Sequence, residues 1–311
     1  MLNKLNVLSQ FRRTVDQMSA RMARLENQLD LMRLALGRIE ARQCANLFDG
    51  KLNDVEFQVY SQTGEDGWIQ ALIRNVEIPN KIFVEFGVEN YTQCNTRFLL
   101  ENNYWSGLVM DGSTTNVERI KKDSLYWRRN LKAEAVFIDR DNINELLSRN
   151  GISGDIGLLS VDIDGNDYWV WKAIEVVNPR IVVCEYNSLF GPSAKVSVPY
   201  DPKFFRTTAH YSNLYYGASI AALTYLAEQR NYSLVGSNRF GNNIFFVRND
   251  VRGSIPALRP EDAWVPAAFR ESRDSERKLS YLNRAEALKL LADLPLIEVV
   301  TERQMRVGDL K

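Results

Sequence analysis

Apolar residues at Leu8, Phe11, Val15, Met18, Met22, Leu25, Leu29, Met32, Leu36 and Ile39 recur at alternating steps of three and four. That spacing is a heptad seam and predicts one long helix over residues 1–44. Arg12, Arg13, Asp16, Arg21, Arg24, Glu26, Asp30, Arg33, Arg38 and Glu40 fill the positions between, as on the wet faces of a coiled coil. Self-association as a homo-oligomer follows, and methionine at several seam positions leaves dimer and trimer both open. Two other readings stand beside it. One is a single amphipathic helix laid on the rest of the chain. The other is a peripheral membrane contact, because residues 1–44 hold eight Lys/Arg against four Asp/Glu.

Beyond a polar joint near Asp49 to Asp54, short apolar runs alternate with helical patterns. Strands are expected at 81–87, 106–111, 133–139, 156–164 and 180–187, with helices at 94–102, 116–129, 143–149 and 168–177 between them. Alternation of this kind predicts a parallel sheet covered on both faces, an α/β doubly wound architecture. A further helix over 217–230 leads to runs at 232–237 and 243–249, which face each other across the turn-rich SNRFGN as a hairpin. The predicted domains are a coiled-coil helix (1–44), an α/β domain (45–250) and a C-terminal arm or cap (251–311).

Composition narrows the function classes. With 39 Lys+Arg, 39 Asp+Glu and 45% apolar residues, the chain is neither disordered nor a bulk-charge binder of nucleic acid. No apolar stretch approaches the roughly 20 residues of a membrane span. The opening MLNKLNVLSQFRRT lacks a signal-peptide core, and three scattered cysteines (Cys44, Cys94, Cys184) fit reduced thiols, so a cytoplasmic location is expected.

In open α/β sheets ligands bind beyond the carboxyl ends of the parallel strands. Here those ends are acidic: Glu85 to Glu89, Asp111, Asp139, Asp162 to Asp167, and Glu185. Gathered carboxylates are costly unless they accept ligand hydrogen bonds or hold a cation. Asp111 is placed to accept both ribose hydroxyls of an adenine nucleoside. The first turn offers only Gly87 where a pyrophosphate loop needs three glycines, and Glu85 and Glu89 would repel phosphate. A cofactor with ribose, adenine and a cationic centre but no phosphate suits the rim, and S-adenosylmethionine fits that description.

The blocks SQTGEDGW, IFVEFGVENYTQCNTRFLLENNYWSGLVMDGS, LLSVDIDGNDYWVW, VVCEYNSLFGP, YYGAS and NNIFFVRND resemble the FkbM-type branch of class I S-adenosylmethionine-dependent methyltransferases over about residues 57 to 250. The resemblance implies a Rossmann-like fold of five parallel strands plus an antiparallel hairpin, and O-methylation of a sugar or other hydroxyl. It further implies Glu85 and Gly87 along the methionine part of the cofactor, Asp111 at the ribose and Asp139 near the adenine. Related sugar methyltransferases hold a divalent cation on carboxylates, implying magnesium on Asp164 and Glu185, Asp167 as base, and Asp162 at the sulfonium or sharing the ion. As a plain sequence reading, the DIDGND run is an Asp-rich turn capping the next helix.

The one histidine, His210, sits in a loop between the fifth strand and the next helix and competes with Asp167 as the base. Tyr200, Tyr215, Tyr216, Trp169 and Trp171 are candidates for sugar-stacking faces or for core. Gln62 and Glu65 are candidates for closing over the cofactor or for helix capping. The expected function is an S-adenosylmethionine-dependent O-methyltransferase acting on a glycan precursor, with no nucleic-acid partner. Two alternatives are a catalytically inactive scaffold assembled by its coiled coil and a nucleotide-sugar transferase using the DID motif, with Lys195 and Arg206 in reach.

Overall fold

The structure, a computed structural model, describes residues 2–45, 52–268 and 270–310. The side chain of Leu8, the joint around Asp49 and the final Lys311 lie outside the described part. In chain order the elements are α1 (Leu2–Cys44), α2 (Glu65–Asn75), β1 (Ile82–Phe86), α3 (Arg97–Asn102), β2 (Ser106–Asp111), α4 (Thr114–Lys122), α5 (Ser124–Arg128) and β3 (Leu131–Ala135). Then follow α6 (Ile143–Arg149), β4 (Gly154–Val161), α7 (Asp167–Ala173), β5 (Val177–Glu185), β6 (Val196–Ser197), α8 (Arg206–Ala209), α9 (Ile220–Gln229), β7 (Tyr232–Ser237) and β8 (Asn243–Arg248). The chain closes with α10 (Pro260–Ala263), α11 (Arg284–Leu290), β9 (Pro295–Glu298) and β10 (Arg303–Arg306).

The main sheet has the order β3-β2-β1-β4-β5-β8-β7. Its first five strands are parallel, β8 runs antiparallel to β5, and β7 pairs antiparallel with β8. Alternate residues of one strand enter different cores. Val84 and Phe86 join the side holding Leu147, Trp171 and Leu223, whereas Phe83 joins the side holding Leu72, Leu99 and Ile120. Burial on both faces is why these strands read as continuous apolar runs, and the fold is Rossmann-like. The strand order reverses between β1 and β4, which opens a crevice there at the carboxyl edge.

Several element boundaries differ from the periodicity: the helix expected over 168–177 ends at Ala173 and Val177 opens β5, and two further differences have a local cause. The helix expected over 116–129 breaks at Asp123, whose Oδ1 accepts from the Leu125 N–H at 2.9 Å and caps a new helix. The third strand spans Leu131–Ala135, because Val136 to Asp139 turn away toward the crevice and Asp139 folds into a tight turn. The C-terminal segment is built into the body: Leu258 N–H donates to Leu234 O at 2.8 Å, and β9 and β10 join β6 in a second, three-stranded antiparallel sheet.

Helix α1 packs one side of its last turns on the body and leaves the heptad stripe exposed. Near its C-terminus, Leu34 and Ala41 are buried against Phe57, Val59, Tyr60 and Phe98. A Cβ at Gly37 would meet a Val59 methyl at 2.4 Å, so the close approach uses the missing side chain. Arg38 Nε donates to Asn102 Oδ1 at 3.1 Å, and the Arg33 guanidinium lies 4.9 Å from the Tyr60 ring centre. The seam points elsewhere: Phe11 through Ile39 of the heptad are 43 to 68% exposed, Leu36 and Ile39 included. Among the described residues no helix is long and apolar enough to cross a membrane.

Leu34→Ala is expected to lower stability by about 2 kcal/mol by opening a cavity under α1. Deleting residues 1–31 should leave the urea midpoint of the body unchanged. Equal midpoints for Leu34→Ala and the parent would show that this end of α1 is not packed on the body.

Candidate active site

Gly87, the first residue past β1, has φ +70, and a Cβ there would lie 1.7 Å from the Asp162 carbonyl oxygen. Only glycine lets the backbone beyond β1 touch the backbone beyond β4 in this conformation. Across the same edge, Asp111 ends β2 with both oxygens engaged. Oδ2 accepts from the Glu89 N–H (2.8 Å), and Oδ1 from the Ser113 N–H (2.8 Å) and the Asn116 amide (3.2 Å). Asp111 thereby ties the turns after β1 and β2 together while still lining the crevice.

The crevice is a cleft of about 560 Å³. One wall is Gly87, Asp111 and Ser113; Val136, Phe137 and Ile138 form an apolar wall; Asp162 and Asp164 form the floor; Arg206 and Glu271 close the far side. Five carboxylates (Glu89, Asp111, Asp162, Asp164, Glu271) line it against one guanidinium.

Asp167 shapes the floor. Its Oδ1 accepts from the Ile163 N–H at 2.8 Å and its Oδ2 from the Gly165 N–H at 2.9 Å, folding the loop after β4. Asp164 sits at φ 56, a left-handed conformation that aspartate tolerates. Carboxylate oxygens of Asp162, Asp164 and Glu185 then fall within 4.8 Å of one another. Glu185 is buried at the end of β5, and its Oε2 has no hydrogen-bond partner. At that separation two like charges repel by about 3.5 kcal/mol in an effective dielectric near 20. Arg206 answers part of the charge: its Nη1 is 2.5 Å from Asp164 Oδ1, its Nε donates to Asn213 O, and its guanidinium lies 3.8 Å from the Tyr216 ring centre. Burial, then the neighbouring acids, push the carboxyls of Asp162 and Glu185 well above the usual range. Three oxygen donors with one buried oxygen unpartnered fit a hard divalent cation.

Four expected site residues stand elsewhere. Glu85 is buried beneath the cleft, with Oε1 on the Asn95 N–H (2.7 Å) and Oε2 on the Thr96 N–H (3.0 Å), so it anchors the start of α3 instead of lining a cofactor. Asp139 spends Oδ1 on the N–H groups of Asp141 and Asn142, and Phe137 and Ile138 take the wall in its place. Asp167 is fully buried and lies off the cleft lining, its oxygens on the backbone donors of its own loop; burial raises its carboxyl to about 6 despite those donors. His210 lies off the cleft lining, its Nδ1 2.7 Å from Ser212 Oγ, and burial lowers its pKa.

Trp171, Tyr215 and Tyr216 are buried, whereas Trp169 and Tyr200 flank a separate trough with Arg140. Glu65 is buried and accepts from the amides of Asn238 and Asn243, so SQTGEDGW serves the fold. Lys195 lies over the Tyr225 ring and does not line the cleft. Phe137, Ile138 and Glu271 had no sequence signal: two sit past a strand end, and one comes from the C-terminal arm.

No protein-family model and no curated protein matches the chain. Among solved structures, the N-terminal domain of EvdMO1 with SAH (S-adenosylhomocysteine) bound is 12% identical, covering 68% of this chain and 95% of that one at a TM-score of 0.39. An O-methyltransferase from Bacillus cereus in complex with SAH is 12% identical, covering 70% and 91% at 0.40. PKMT2 from Rickettsia typhi in complex with AdoHcy is 11% identical, covering 64% and 55% at 0.41. Likenesses at this level carry no inference about the site, whose chemistry is read from its own side chains.

A carboxyl whose folded pKa is raised binds its proton more tightly when folded, so its stability contribution is present below the unfolded value near 4.3 and is lost as pH rises. With chelator present, Glu185→Gln should therefore stabilise the protein at pH 8 by about 1–3 kcal/mol and much less at pH 4.5. Identical urea midpoints for the two proteins at both pH values would refute the strained cluster.

Proposed function

We propose that the protein transfers a methyl group from S-adenosylmethionine to a hydroxyl of a sugar on a glycan precursor. The observation that carries this reading is the cleft at the β1/β4 reversal, with Asp111 on its rim, an apolar wall at Val136 to Ile138 and an acidic floor. Asp111 accepts from the ribose hydroxyls, Val136 to Ile138 cover the adenine, and the Gly87 turn brings backbone alongside the methionine part. Asp162 faces the sulfonium, where its charge favours a cationic cofactor. The excess of carboxylates over Arg206 supports this reading against a nucleotide-sugar diphosphate, which needs cations.

Methylating an alcohol requires removal of its proton as the oxygen attacks the methyl carbon in line with the leaving sulfur. Asp164 and Glu185, with Asp162, would hold a magnesium ion, whose chemistry is to polarise the acceptor hydroxyl. The chain's own part is to position that hydroxyl and to receive the proton. Glu271 lines the cleft outside the three carboxylates that would hold the ion; its Oε1 pairs with Arg273 at 2.8 Å, and its Oε2 is the oxygen that would receive the proton. Arg206, held over Tyr216, steadies Asp164.

The exposed seam of α1 supports a second part of the reading. A helix of 43 residues is about 65 Å long, and its heptad stripe stays uncovered even where the other side packs on the body. Two or three copies joined along that stripe would bring several clefts to one polymeric acceptor.

Calorimetric titration with S-adenosylhomocysteine is expected to give micromolar binding, weakened by about 1–3 kcal/mol in Asp111→Ala. Absence of binding would end the cofactor assignment. Magnesium should raise the melting temperature of the parent but not of Glu185→Gln, and an equal rise in both would remove the metal. Ultracentrifugation should give a dimer or trimer for the full chain and a monomer after deletion of residues 1–31; a monomer in both would rule out the coiled coil.

A further inference from the structure

The net charge of the chain is zero, yet its charges are segregated along the sheet. The carboxyl-edge cleft is lined by five carboxylates and Arg206, and Arg273 pairs with one of the five, Glu271, at 2.8 Å, which leaves the cleft acidic. At the opposite edge, the docked end of α1 leaves a groove of about 520 Å³ against the starts of β1 and β2. Arg38, Arg42, Arg74 and Lys81 line it, and among the described residues no carboxylate does. Glu101, one turn away, is paired with Arg129 at 3.4 Å. The floor is amide: Gln70 Nε2 donates to Asn103 Oδ1 at 2.7 Å.

Aromatic rings extend the same edge. Tyr104, at the groove and just ahead of β2, is 67% exposed, with the Arg129 guanidinium 4.8 Å from its ring centre. Trp127, just ahead of β3, is 72% exposed, with Arg128 at 5.0 Å. Large rings left in water beside arginines have the composition of a membrane–water interface, where the ring enters the headgroup layer and the cation meets phosphate.

We propose that this edge docks on an anionic membrane surface, the groove receiving lipid phosphates and Tyr104 and Trp127 entering the headgroup layer. The segregation of charge orients the protein, since the acidic cleft is repelled by the surface that attracts the groove, and the cleft then faces the aqueous side. The proposal is independent of the chemistry in the cleft.

The test is sedimentation of the full chain with vesicles of equal phosphatidylglycerol and phosphatidylcholine, and with phosphatidylcholine alone. Binding is expected only to the anionic vesicles, with release at about 1 M salt. Each basic residue near such a surface strengthens binding about fivefold, so Arg42→Glu/Arg74→Glu/Lys81→Glu should weaken it by more than about a hundredfold, because each change removes an attracted charge and adds a repelled one. Arg21→Glu/Arg24→Glu, remote on α1, should change it less than the triple variant does. Circular dichroism and the melting temperature check that the variants fold, and Trp127→Phe should reduce the fluorescence blue shift on vesicle addition. Equal binding to both vesicle types, loss of binding in the α1 variant alone, or full binding by a folded triple variant would overturn the proposal. So would binding to an RNA oligonucleotide without binding to vesicles, which would assign the groove to nucleic acid.

Discussion

The contact between Gly87 and the Asp162 carbonyl governs the arrangement of the functional edge. It lies where the strand order reverses, between the two strands whose helices leave to opposite faces of the sheet. With no side chain at 87, the turns after β1 and β4 touch, and the cleft has a closed floor from which Asp162 and Asp164 rise. Asp111 reinforces the same junction from β2 through the Glu89 and Ser113 amides. A site built on backbone contacts between central strands is rigid, which suits the proposed transfer, where a reactive carbon would have to be aligned with an acceptor.

Charge is the second constraint. Asp162, Asp164 and Glu185 are held closer than their mutual repulsion favours, and the folding energy of the surrounding sheet keeps them there. Asp167 shows how: its buried carboxylate spends both oxygens on the loop after β4 and so fixes where its neighbours point. Two adjacent aspartates of one motif thus have different tasks, one shaping the loop and the other exposed to the cleft. Arg206, delivered from a different segment and steadied by Tyr216, offsets part of the charge without filling the cleft.

Helix α1 shows one element serving two faces. Leu34, Gly37 and Ala41 meet the body, while the heptad stripe lies more than a quarter turn away around the helix. Docking of its last turns places Arg38 and Arg42 beside Arg74 and Lys81, so the cationic groove is a product of packing and has no counterpart in any single stretch of sequence.

The sequence by itself determined the architecture. Five apolar runs separated by helical patterns specify a parallel sheet buried on both faces, because only that arrangement removes both faces of each strand from water, and the last two runs specify the antiparallel hairpin. It also marked the acidic strand ends and the seam. What it could not decide was the direction of each carboxylate. Glu85 and Asp162 both sit near strand ends, yet Glu85 turns under the sheet to the α3 amides and Asp162 turns into the cleft. Asp139 was legible as an acid but not as a turn builder, whereas DIDGND was legible as an Asp-rich turn without showing which of its acids would close it, since local amide donors capture a carboxylate only once the loop has folded around it. Glu271 and Arg206 entered the site through long-range packing of the arm and of the loop before α9. Local periodicity records which residues are buried, whereas the partners of a polar side chain are set by which distant backbone arrives beside it.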